Sequence, residues 1–288
     1  MRTNPFVARL SALAAAAAVA AGTLVTGAPS ANAAGSNNLN VKAGEYTYKV
    51  SGSPKSGWTQ INFSNPGVEY HVLGISQLKK GVTAKQLIAA LKSSDDGAAD
   101  KLVVGGVTPV PGALGPSEAT TILTKLKPGH YAMICFVPAP DGVPHALHGM
   151  VDTFDVSSGK SSLTPPKDGV IPVTLSDDSI TLPSAGLPKS GWVKVTNSTS
   201  VSRSFSLGRY LTPTATFEDA AAYFATFFDN PGDASDAPAS LIGGLEGIAA
   251  GGTGYVQLKL DAGRYAAVSE NGDVDNDPNQ LHTDFEIK

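Results

Sequence analysis

Few residues in this 288-residue chain can do chemistry, and most of them lie close together. Cys135, the single cysteine, opens the segment Cys135-Phe136-Val137-Pro138-Ala139-Pro140-Asp141-Gly142-Val143-Pro144-His145-Ala146-Leu147-His148-Gly149-Met150. Far upstream, Asn65-Pro66-Gly67-Val68-Glu69-Tyr70-His71 supplies another imidazole. A lone cysteine makes no internal disulfide, so it is either a small buried hydrophobe or a thiolate held by a metal. One thiolate, two imidazoles and a thioether make up the set that binds copper in a trigonal plane of two His and one Cys, with a long axial Met. Thiolate and thioether favour Cu(I) and imidazole tolerates both oxidation states, so such a set can cycle by one electron. On side-chain type alone, His145 and His148 compete for the second imidazole.

These side chains need rigid elements to bring them together. Trp58-Thr59-Gln60-Ile61-Asn62-Phe63 alternates apolar and polar, as a half-buried strand does. His71 to Ile75 reads as a second strand, Thr120 to Leu126 as a third, Tyr131 to Phe136 as a fourth, and Val151 to Val156 closes the set. Lys127-Pro128-Gly129 is a turn between the third and fourth. Short strands separated by turns predict an all-β fold of Greek-key β-sandwich type. One helix interrupts it: Thr83-Ala84-Lys85-Gln86 has the form of a capping box, and Leu87, Ile88 and Leu91 give a helical apolar stripe.

The chain repeats itself. Pro54-Lys55-Ser56-Gly57-Trp58 recurs as Pro188-Lys189-Ser190-Gly191-Trp192, 134 positions later, carrying the only two tryptophans. Pro128-Gly129-His130-Tyr131-Ala132 answers Ala262-Gly263-Arg264-Tyr265-Ala266 at the same offset, and Thr216 with Ala220 to Phe228 repeats the helix. We therefore expect two tandem sandwich domains, 34–157 and 169–288, each with a helical insertion, joined by a Ser-, Pro- and Gly-rich linker at 158–168. Gly105-Gly106 and Gly243-Gly244, matched between the copies, read as loop punctuation. Residues 1–33 read as a secretory signal peptide: Arg2 and Arg9 flank an alanine-rich apolar run that ends in Ala31-Asn32-Ala33. Its removal takes the formal charge from −4 to −6. The expected mature protein is extracytoplasmic, with no membrane insertion, and the lack of any basic excess gives no reason to expect nucleic acid.

At Gly129-His130-Tyr131, Cys135, Pro144-His145-x-x-x-Gly149-Met150-Val151 and Val156, with Asn65-x-Gly67 before His71, the sequence resembles the cupredoxins. This is the blue-copper family of plastocyanin, azurin and the copper nitrite reductases. The resemblance covers most of the first copy in fold and is specific at these two motifs. It implies one type 1 copper ion, with His71, Cys135 and His145 as equatorial ligands, Met150 as axial ligand, and His145 near the surface on the electron path. Nine residues separate Cys135 from His145, a loop longer than plastocyanin's and similar to that of the nitrite reductases. His148 has a counterpart in His282, which suggests a shared structural role.

The second copy lacks the set. Ser204 falls opposite His71, Ser269 opposite Cys135 and Asn279 opposite His145, and Met150 has no counterpart. Asp273-Val274-Asp275-Asn276-Asp277 lacks the Gly and Glu of a calcium loop and reads as a solvated acidic loop. The implied function is one-electron transfer with a redox partner protein. Copper storage, or a metal-free exported binding module, are the alternatives. With five His in the chain and Ile134 just before Cys135, where nitrite reductases carry His, no second copper site and no enzyme activity is expected.

Overall fold

The computed structural model describes residues 37–227, 236–271 and 280–288. The expected signal peptide, the acidic loop at 273–277, Phe228 and Asn279 lie outside the described residues. The first half contains nine strands: β1 (Asn38–Gly44), β2 (Thr47–Ser51), β3 (Lys55–Ser64), β4 (Gly74–Leu78), β5 (Val103–Gly106), β6 (Val110–Pro111), β7 (Ala119–Leu126), β8 (Gly129–Ile134) and β9 (Val151–Lys160). The second contains β10 (Ile171–Leu175), β11 (Ile180–Thr181), β12 (Ser190–Asn197), β13 (Arg203–Tyr210), β14 (Ala239–Ile248), β15 (Thr253–Lys259), β16 (Gly263–Ser269) and β17 (Leu281–Ile287). The fold is all-β, as the alternating pattern predicts.

The two halves use the same pairing plan. In the first, β2-β1-β3-β7 forms one layer and β9-β8-β4-β5 the other, with β1 parallel to β3 and the layers linked where Lys55 of β3 pairs with Ser157 of β9. In the second, β11-β10-β12-β15 and β17-β16-β13-β14 repeat this order, again with β10 parallel to β12. Period-two burial drives the layers together: Thr59, Ile61 and Phe63 of β3 point into the core that also takes Ile122, Tyr131, Met133 and Phe154. The repeated Gly-x-Tyr makes a tyrosine corner in each half. The Tyr131 hydroxyl donates to the Lys127 carbonyl (2.8 Å) and that of Tyr265 to the Asp261 carbonyl (2.9 Å).

Strand pairing continues from one half into the other at two places. Thr121, Ile122 and Leu123 of β7 pair with Gln257, Val256 and Tyr255 of β15. Val110 and Pro111 of β6 pair with Glu246 and Leu245 of β14. The second half thus covers two edges of the first that would otherwise expose unpaired backbone.

Helix α1 (Ala84–Leu91) starts on the predicted capping box. Thr83 N–H donates to Gln86 Oε1 (2.9 Å), and Gln86 N–H donates to Thr83 Oγ1 (3.2 Å). Its Leu87 and Leu91 pack with Leu78, Ala132, Ile134 and Val151, so α1 shields the outer face of the β4-β8-β9 layer. Full burial of Leu87 contributes roughly 1.5–3 kcal/mol. A short helix α2 (His145–His148) precedes β9, and α3 (Phe217–Phe227) repeats the insertion in the second half.

Some local expectations need correction. β4 begins at Gly74, and His71 belongs only to an isolated bridge with Leu114, because the Asn65 side chain holds the chain ahead of it in a loop. Gly105-Gly106 and Gly243-Gly244 are not loops; they lie in β5 and β14. Gly244 has φ +129°, and a Cβ there would meet the Phe205 carbonyl oxygen, so only glycine permits this bulged crossing of β14 over β13. β9 runs on to Lys160.

Candidate metal centre

Two segments, distant in sequence, deliver the donors to one point. His71 is fixed by a two-way backbone bridge: its N–H donates to the Leu114 carbonyl (3.1 Å), and Leu114 N–H donates back to the His71 carbonyl (2.9 Å). Cys135 follows the last residue of β8, His145 begins α2, and Met150 precedes β9. A backbone network binds these three: Ala146 N–H to the Cys135 carbonyl (2.7 Å), His145 N–H to the Val137 carbonyl (2.9 Å), Met150 N–H to the His145 carbonyl (2.9 Å) and Cys135 N–H to the Met150 carbonyl (3.3 Å). The nine-residue loop pinches off on itself. Pro138 bridges Pro144, Ala139 N–H donates to the Val143 carbonyl (2.9 Å), and Asp141 Oδ1 accepts from Val143 N–H (3.0 Å). Its length is therefore spent in an outward hairpin, and its two ends stay together.

Cys135 Sγ lies 3.5 Å from His145 Nδ1 and 3.9 Å from His71 Nδ1, and the two Nδ1 atoms are 3.2 Å apart. All three residues are 0% exposed. Among the described residues this is the one group of three such donors within bonding range of a common ion. A trigonal metal with bonds of about 2.0 Å to nitrogen and about 2.3 Å to sulfur would set edges of about 3.5 Å between nitrogens and about 3.7 Å from nitrogen to sulfur. The observed edges of 3.2 Å between nitrogens and 3.5 and 3.9 Å from nitrogen to sulfur lie close to those values. Met150 is also fully buried and belongs to the same core cluster as Cys135.

Tautomers sharpen the fit. His145 Nε2 lies 2.9 Å from Glu69 Oε2, so Nε2 carries the proton and Nδ1 presents its lone pair to the cluster. His71 Nε2 has no hydrogen-bond partner. If His71 places its proton there, a buried donor is orphaned and two Nδ1 lone pairs face each other. If it places the proton on Nδ1, a buried acceptor is orphaned. A cation bonded to both Nδ1 atoms removes the lone-pair conflict. Burial holds both rings neutral, with the His71 pKa lowered to about 4 and that of His145, further depressed by His71 and His148, to about 3.

Burial also pushes the Cys135 thiol up to about 12, while hydrogen bonds from Val72 and Val137 and the nearby Tyr48 hydroxyl work the other way. Those groups are a cradle for a thiolate that needs a metal to form. The Tyr48 hydroxyl donates to the Val72 carbonyl (2.5 Å) and so locks β2 against the residue that follows His71.

His148 stands apart. It is on the surface, 3.1 Å from the Asp141 carboxylate and stacked on Tyr46. Its counterpart His282 stacks on Phe217, so the two share ring stacking but on different partners. His145 departs from expectation: it is enclosed, not near the surface, because Glu69 and the edge-on Tyr46 ring close over it. In the second half, Ser204 accepts Glu270 N–H (3.0 Å) and Ser269 is fully buried, with neither placed in a donor cluster among the described residues.

No protein-family model and no curated protein matches the chain. Among solved structures it is similar to a dithionite-reduced auracyanin from Roseiflexus castenholzii, 24% identical, covering 42% of this chain and 98% of that one with a TM-score of 0.29. It is also similar to auracyanin A, a "blue" copper protein from Chloroflexus aurantiacus, at 18% identity, 42% and 99% coverage and a TM-score of 0.28. A multicopper oxidase is 12% identical, covering 87% of this chain and 88% of that one with a TM-score of 0.24. These likenesses concern the fold; the chemistry rests on the geometry above. Sequence reasoning missed Glu69, Tyr46 and Tyr48. Glu69 had no signal, because it sits in the bend ahead of His71, where no side-chain period tells which way it points. Tyr46 had none either, because its position depends on a left-handed turn (φ 60°) between β1 and β2.

Proposed function

We propose that this chain is an exported copper protein whose first domain holds one type 1 copper ion and passes single electrons to a partner protein. His71, Cys135 and His145 would be the equatorial ligands and Met150 the axial one. The second domain would be a duplicated cupredoxin-like unit that has given up its ligands, with the boundary at 158–168. Copper supplies a one-electron couple. The protein's part is to hold two neutral imidazoles and one thiolate in a dry, prebuilt triangle. The observation that carries this reading is the convergence of three fully buried donors, from two distant segments, on one point. The same chemistry gives no room for an open substrate position, so the reading is a carrier and not an enzyme.

The test is a Cu(II) titration. We expect an intense thiolate-to-copper band in the visible at one equivalent, absent in Cys135→Ser. A colourless titration overturns the reading. Complete enclosure of the donors also favours a second reading, retention of copper as a store. A reversible voltammetric couple supports transfer, and tight binding of Cu(I) alone supports storage.

A further inference from the structure

What reaches solvent above the enclosed His145 is a pair of other rings. Tyr46 meets His145 edge-on with centroids 5.0 Å apart, and it stacks on His148 at 4.8 Å and 29°. The Tyr46 hydroxyl donates to Glu69 Oε1 (3.1 Å), and the other oxygen of that carboxylate holds His145 Nε2 (2.9 Å). The β1–β2 turn is clamped in place from its other side, where Glu45 Oε1 accepts Val68 N–H (2.6 Å). Ring contact is thus continuous from His145 through Tyr46 to His148, whose side chain is 31% exposed.

The surroundings are acidic. Besides burial and its bond to Glu69, the groups raising the Tyr46 phenol pKa are the carboxylates of Glu69, Asp141 and Glu45. The basic group acting on Glu69 is His148. Beside Glu69, Val68 is 67% exposed, one of the few large apolar side chains left in water among the described residues. An aromatic and apolar centre inside a rim of carboxylates fits a partner whose own rim is basic.

We propose that Tyr46 and His148, flanked by Val68 and rimmed by Glu45, Glu69 and Asp141, form the surface where a positively charged one-electron carrier docks, and that His145 passes the electron to it through Tyr46. This rests on the copper reading above. An acceptor docked there takes one electron from the Cu(I) form and leaves Cu(II); no bond forms or breaks and no proton moves.

Two measurements test it. The redox-inert, paramagnetic tris(phenanthroline)chromium(III) cation, added to the metal-free protein, should broaden the NMR signals of Glu45, Tyr46, Val68 and His148. Broadening should vanish in the E45Q/D141N double variant. Broadening confined to another face overturns the proposal. The Cu(I) protein is then oxidised by tris(phenanthroline)cobalt(III), or by hexacyanoferrate(III) as the anionic control. The cobalt rate should fall by about tenfold or more from low to high salt, while the hexacyanoferrate rate does not fall. Y46L should slow the cobalt reaction about tenfold with the visible band intact, and Y46F should restore most of the rate. Oxidation of Y46L at the wild-type rate overturns the exit through Tyr46. If Y46L loses its band, H148L decides: slowed oxidation supports the exit and an unchanged rate overturns it. A wild-type protein that shows no thiolate–copper band overturns the copper reading and the electron exit together, and the chromium measurement then reports on the cation-docking face separately.

Discussion

Burial strips His71 and His145 of their protons, and this has a cost on acidification. Their pKa values fall to about 4 and about 3, whereas an unfolded histidine titrates near ~6.5. Between those limits the unfolded chain binds protons that the folded chain refuses. The stabilisation is therefore complete above ~6.5 and is lost as pH falls toward the folded values. The thermal midpoint of the metal-free protein should drop steeply between about pH 7 and about pH 4.5, and a H71Q/H145Q variant should show a shallower slope by circular dichroism. Equal slopes would mean that other groups govern acid unfolding. The clustering of His71, Cys135 and His145 was legible in the sequence because side chains of this donor type are few and because two of them lie within one segment. The choice of His145 over His148 came from the family spacing, and the structure gives it a cause: His145 N–H is tied to the Val137 carbonyl, which turns the ring inward. The lid over His145 was not legible, because Tyr46 arrives from a turn with no local link to either motif.

At the scale of elements, β14 carries an anomaly of its own. Glu246 is 6% exposed, and burial raises its carboxyl well above the usual range, opposed by the hydrogen bond from Ser206 (2.8 Å). A carboxyl raised in the folded state favours the protonated form, so folding loses stability as pH rises above the unfolded value of ~4.5. E246Q keeps the shape and removes the titration. Its melting point should exceed the wild type's at about pH 8, with the difference shrinking toward about pH 4.5. A variant that melts lower at both pH values would show that the acid is needed for packing. Strand β3 was readable because one face is buried and the side-chain period is two, and β8 because a turn leads into an apolar run that α1 covers on its outer face. The start of β4 was not, since His71-Val72-Leu73 is buried by side-chain anchoring of its loop and shows no alternation to mark where pairing begins. The glycine pairs were misread for a related reason: a glycine that allows a strand to bulge looks, in sequence, like one that ends it.

For the whole molecule, the repeat was plain from Pro-Lys-Ser-Gly-Trp and Gly-x-Tyr, yet the joining of the halves through their strand edges was not. Pairing of β7 with β15 and of β6 with β14 depends on which edges are left open, and edges leave little trace in residue type. The consequence is measurable. The chain should unfold in one calorimetric transition, and a fragment ending at Lys160 should self-associate through the bared β7 edge. Two resolved transitions with a monomeric fragment would contradict this. The junction also bears on how such a protein can change over time. Leu114 bridges His71 on one side and Ile242 on the other, and Tyr70, next to His71, packs its ring edge on Phe227 of α3. A substitution in the second half, far from the donor cluster, would thus loosen His71 in the first and disturb the donor triangle there. The second half, with no donor cluster among its described residues, is in this sense the foundation of the one its neighbour carries.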